Sequence, residues 1–182
     1  AELPRLVNVS ATAGAFEATL IAERTTVALL PGTTTEFWSY NSKVPGPLID
    51  VFEGDTVRIR LDNRLSQETT VHWHGLPVPP EQDGNPMDPV APGASRTYEF
   101  TLPVGSAGTY WYHPHPHEMT AEQVFRGMAG LLIVRSRTDP VPTAIEEKLL
   151  VISDLRLAAD GTIPANTPMD WQTGREGNYV LV

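Results

Sequence analysis

Val71-His72-Trp73-His74-Gly75 and Trp111-Tyr112-His113-Pro114-His115-Pro116-His117 hold between them all five histidines of a 182-residue chain. Valine, tryptophan and tyrosine surround the histidines, and these residue types favour strands. Side chains alternate faces along a strand, so His72 and His74 point the same way, roughly 7 Å apart along the backbone. Two imidazoles on one face can share a metal ion or serve two neighbouring ones, and neutral imidazole suits copper, zinc, iron and nickel. A strand histidine making ordinary polar contacts would account for one His-x-His. Two such motifs, with no histidine elsewhere, point to metal.

Outward from these clusters the chain reads as short strands between turns. Proline (17) and glycine (14) recur throughout, and the segments between them are rich in Val, Thr, Ile, Leu and aromatics, the spacing of an all-β sandwich or barrel. Residues 15–30 suggest a strand pair, 37–41 a strand entering a turn, and 48–52 another strand. Residues 56–61 alternate cleanly, with Val57, Ile59 and Leu61 on one face and Arg58 and Arg60 on the other. The first histidine strand is expected over about 68–75. Residues 76–93 carry six prolines and read as a loop, long enough to carry function. Strands are expected over 95–102, 109–112, 131–134 and 148–152, the last prolonged through 155–157. Residues 120–126 are the one short helix, with Thr120 as N-cap, Gln123 three residues on and Gly127 ending it. The tail beyond 158 is less regular until a strand at 178–182.

Composition narrows the chemistry. A net charge of −9 and a pI near 4.9 argue against nucleic acid, whose phosphates an acidic surface repels. No apolar run reaches the length of a membrane span, and no membrane partner is expected. The absence of cysteine excludes disulfides, thiolate zinc sites and a blue-copper centre within these residues. Ala1-Glu2-Leu3-Pro4 is compatible with a mature N-terminus left by cleavage.

In chain order, four segments resemble the first cupredoxin domain of a laccase-like multicopper oxidase. They are Val44-Pro45-Gly46-Pro47 with Phe52-Glu53-Gly54-Asp55; His72-Trp73-His74-Gly75; Gly108-Thr109-Tyr110-Trp111-Tyr112-His113-Pro114-His115; and Arg126-Gly127-Met128-Ala129-Gly130-Leu131 running on to Val134. The resemblance implies a cupredoxin-like Greek-key sandwich or barrel over 1–158. Residues 159–182 would then be a linker and the first strand of a following domain outside this chain. It implies a trinuclear copper cluster, with His72 on the type 2 copper, His74 and His113 on one type 3 copper, and His115 on the other. Asp83 stands where the family keeps a carboxylate for proton supply, although Asp-Gly is also a common turn pair. His117 lies outside the ligand pattern, and Glu118 beside it reads as solvated.

Four imidazoles are half of such a site, so the resemblance implies a second cupredoxin domain or subunit completing it, and inactivity without the cysteine-bearing domain. The whole would reduce O₂ to water with electrons from a small phenolic, amine or metal-ion substrate. Its expected setting is secreted or periplasmic, with homo-oligomers in view and a trimer if the parent is of two-domain type. A non-enzymatic copper-storage cupredoxin is the alternative. A zinc hydrolase or cupin using His-x-His ranks behind both, because no histidine follows His117. Trp73, Trp111 and Tyr112 are expected to pack, and Met87, Met119 and Met128 to fill gaps. Arg126 is expected either to hold the cluster's carboxylates or to pair at the surface.

Overall fold

The alternation of β4 (Thr56–Asn63) places Val57, Ile59 and Leu61 in the core, as expected. Around it, β2 (Thr35–Tyr40), β1 (Ala15–Val27), β4 and β6 (Ser95–Thr101) form one sheet in the order β2-β1-β4-β6. The facing sheet runs β3-β8-β7-β5, from β3 (Gly46–Phe52), β8 (Gly130–Arg135), β7 (Gly108–His113) and β5 (His72–His74). Inward residues of both sheets share one core, including Leu20, Ile59 and Tyr98 from the first and Ile49, Tyr112 and Trp73 from the second. The result is an all-β sandwich with mixed pairing, β1 running parallel to β4 and β3 parallel to β8. The structure, a computed structural model, describes residues 2–139, 141, 142 and 144–182. Ala1 of the expected N-terminus lies outside them.

Several local expectations shift. The strand pair foreseen over 15–30 is one long strand that changes partner at Ala22, pairing with β4 up to that residue and with β2 beyond it. The first histidine strand is three residues long instead of eight. Thr69 forms a bridge with Val90 of the proline-rich loop, and the Val71 N–H donates to the Tyr98 hydroxyl at 3.2 Å, so these backbone groups are already satisfied. No strand forms over 148–152; β9 is Ser153–Leu155, and β10 (Tyr179–Leu181) pairs antiparallel with it.

The expected helix is α1 (Thr120–Phe125), closed by Gly127 at φ +117°. Thr120 is not its cap: Met119 holds that place, and the Thr120 hydroxyl donates to the Pro116 carbonyl. Gln123 turns inward and is fully buried. Its amide donates to the Glu68 carbonyl at 2.8 Å and its oxygen accepts from Thr69 at 2.8 Å, which ties α1 to the approach of β5. A second helix, α2 (Pro168–Thr173), starts from a capping box in which Thr167 and Asp170 satisfy each other's backbone N–H groups.

Candidate metal centre

The pairing of β5 with β7 creates the site. His72 lies opposite His113 and His74 opposite Trp111, while Trp73 and Tyr112 pair on the reverse face in the core. Beyond the end of β7 the chain is held by Thr70, whose hydroxyl accepts from the His115 backbone N–H at 2.8 Å. His72 becomes the hub: its ring centroid is 5.4 Å from His74, 5.2 Å from His113 and 5.2 Å from His115. The four imidazoles named from the sequence therefore meet. His117 is exposed and stands apart beside Glu118.

Hydrogen bonds decide which nitrogens face inward. His113 Nδ1 contacts the Pro114 carbonyl at 2.8 Å and His72 Nδ1 the Asp83 carbonyl at 3.0 Å. A carbonyl only accepts, so both Nδ1 atoms carry hydrogen and the lone pair of each ring lies on Nε2. His74 Nδ1 lies 3.1 Å from His113 Nε2. Two nitrogens sharing one tetrahedral ion at about 2.0–2.1 Å would sit about 3.3 Å apart. Donor atoms of His72, His74 and His113 all fall within 4.8 Å of one another. His115 Nδ1 is buried without a partner. The donor set fits one or more ions that accept imidazole.

Burial, reinforced by the imidazoles of His72, His74 and His115 and opposed by the Pro114 carbonyl, lowers the His113 pKa to about 4. His113 is thus neutral at pH 7, the form that binds metal. The folded value lies below the ordinary 6.5, so the unfolded chain binds the extra proton between the two. The metal-free protein is expected to keep this contribution to its stability above pH 6.5 and lose it as pH falls toward 4, with no further change below. Thermal unfolding across that range checks the slope.

Asp83 reaches the site through a chain of contacts. The loop from 76 to 93 contains a single 3₁₀ turn, Pro80–Gln82, that ends at Asp83. Trp73 anchors it from the core: its indole N–H donates to the Gln82 carbonyl at 2.9 Å. Asp83 Oδ1 sits 2.9 Å from His72 Nδ1, buried, while the ring hydrogen is directed to the same residue's carbonyl. Asp83 thus ends a turn, and its carboxylate faces the His72 imidazole. Arg126 pairs with Glu122 at 2.9 Å and lies over Trp38, away from the histidines. Met128 fills the core, whereas Met87 is exposed. Trp111 departs from the packing expectation by standing partly exposed and stacked on His113. Thr70 and Gln82 carry no metal-site signature in the sequence. Thr70 is recognisable only from its place two residues before His72.

A family model described as multicopper oxidase matches residues 21–139. The multicopper oxidase mco of Staphylococcus aureus is 32% identical over 174 residues, covering 90% of this chain and 37% of that protein. A multicopper oxidase from Campylobacter jejuni, described as a metallo-oxidase, superposes with a TM-score of 0.94 at 49% identity, covering 98% of this chain and 38% of its own. A laccase from Pediococcus acidilactici gives 0.86 at 32% identity, with 99% and 40% covered. The chain thus spans well under half the length of each relative. Its sandwich, its paired His-x-His motifs and these matches agree: the chain belongs to the multicopper oxidase family.

Proposed function

We propose that this chain supplies half of a trinuclear copper cluster in an oxidase that reduces O₂ to water. The observation that carries the reading is the convergence of four imidazoles on one open-sided cluster, with two inward donor nitrogens 3.1 Å apart. His72 would serve the type 2 copper, His74 and His113 one type 3 copper, and His115 the other. Held by these imidazoles, copper would supply the one-electron redox chemistry that links a reducing substrate to O₂. The protein's part is to hold the rings neutral and oriented, through burial and through the Asp83 and Pro114 carbonyls.

Water formation consumes protons, and Asp83 is the group placed to deliver them. Its carboxylate oxygen is buried and unpartnered beside His72, so a proton taken up there has a short path to the cluster. Four imidazoles cannot complete three metal sites. A second cupredoxin domain or subunit would therefore close the cluster, and the chain alone would bind copper without turning over O₂. On this reading residues beyond 158 lead toward a following domain, although Leu155, Leu157 and Ile163 pack in one small cluster across that point. A trimer is the assembly expected of a two-domain parent.

The Campylobacter relative's description as a metallo-oxidase favours a metal ion as the reducing substrate, while the Pediococcus laccase keeps phenols and aryl amines in play. No helix among the described residues is long and apolar enough to cross a membrane; a secreted or periplasmic location belongs to the proposal. Loaded with copper together with the domains that complete the cluster, the protein is expected to show a paramagnetic type 2 signal and consume O₂. Asp83→Asn should lower O₂ consumption about 100-fold, the low end of what a positioned acid contributes, and leave substrate oxidation by the first electron unchanged. Copper uptake with no O₂ consumption in the completed assembly would favour copper storage.

A further inference from the structure

We infer that Trp111 is the positioning residue of the His74–His113 donor pair, an assignment that rests on the metal-centre reading. His72 and His113 each have a backbone carbonyl to fix the ring, from Asp83 and Pro114. Among the described residues His74 has none, and its one hydrogen bond runs to His113. An exposed imidazole so held can turn about its Cβ–Cγ bond and carry Nδ1 away from the shared ion. Trp111 opposes that rotation. It is the cross-strand partner of His74, with ring centroids 4.8 Å apart and planes 31° from parallel. Two residues along the same strand, His113 stacks on the same indole at 4.1 Å and 27°.

One rigid bicyclic face thus flanks both rings whose donors converge. The indole offers no lone pair to compete for metal. Trp111 also lines a cavity of about 430 Å³ shared with Val44, Phe125 and Leu155. The strands select the rings: alternation along β7 puts Trp111 and His113 on one face, and the β5–β7 register adds His74.

The test compares the parent protein with Trp111→Leu, which keeps an apolar side chain without a flat face, Trp111→Phe, which keeps a flat aromatic face, and the surface control Trp171→Phe. Each is titrated with Cu(II) and separately with Zn(II). Trp111→Leu should bind both ions about 10-fold more weakly, the lower end of the cost of losing a residue that orients a ligand. Trp111→Phe should recover most of that loss, and the control should match the parent. In the metal-free protein the His74 ring signals in NMR spectra should broaden and average in Trp111→Leu only. Parent-like affinity in Trp111→Leu, or equal losses in the Leu and Phe variants, would overturn the assignment. A parent that binds neither ion would overturn the metal-centre reading instead, and unchanged His74 ring signals in Trp111→Leu would then overturn the clamp on their own.

Discussion

Replacing His113 with glutamine should lower copper affinity by more than about 100-fold, beyond the roughly 10–100-fold that loss of an outer partner costs. That corresponds to about 2.8 kcal/mol or more at the site. His113 combines three properties that no other cluster histidine combines. It is buried, its Nδ1 is committed to the Pro114 carbonyl, and its Nε2 is the atom that His74 Nδ1 approaches to 3.1 Å. Glutamine retains polar atoms and most of the volume, so the sandwich should persist, with melting at pH 7 close to that of the parent. The stability slope between pH 6.5 and about 4, which His113 supplies, should flatten in the same variant. Isothermal titration with Cu(II) and unfolding at several pH values read both effects. Affinity within 10-fold of the parent would remove His113 from the metal centre.

Gly84→Ala should be the most damaging single-methyl change near the site. A Cβ at Gly84 would stand 1.9 Å from the Val71 carbonyl oxygen and 2.4 Å from its carbon, with backbone as the obstacle, so no side chain can swing clear. The residue also sits at φ +58°, a conformation that costs an L-residue about 1–2 kcal/mol. Together with overpacking the loss should be about 3 kcal/mol or more. Relief requires the loop to lift from the chain just ahead of β5, and that movement separates Asp83 from His72. Unfolding in urea should show the lost stability, and O₂ consumption in the completed oxidase should fall as it does in Asp83→Asn. Alanine tolerated at Gly84 with parent stability would show that the loop is not packed against Val71 as described.

Asp83-Gly84 illustrates why part of the site was legible and part was not. The dipeptide is a turn signal by composition, and the turn is there. The sequence carries no sign that this turn is pressed onto Val71, or that the Trp73 indole reaches across to fasten Gln82. Similarly, Gln123 satisfied a capping pattern by its distance from Thr120, yet a buried amide seeks partners wherever they lie, and Gln123 found Thr69 and Glu68 instead. α2 was missed because its box closes with Asp170 where glutamate or glutamine is the usual signal. A strand tryptophan ordinarily packs, and only the register shows that His74 lies opposite Trp111.

The amino-acid order by itself determined the all-β class, the alternating faces of β4 and β6, the inward side of Trp73, and the grouping of His72, His74, His113 and His115 as candidate ligands. The first three depend on neighbours within a few residues, and strand periodicity exposes them directly; the choice of these four histidines is what the family resemblance of the two motifs implies. Tertiary structure alone decided that His72 is the hub, which nitrogens face inward, and that Trp111 lies against two of the imidazoles. It also set Asp83 beside His72. Each of these depends on contacts between segments far apart in the chain, where register, burial and available carbonyls fix ring orientation and local spacing carries no information.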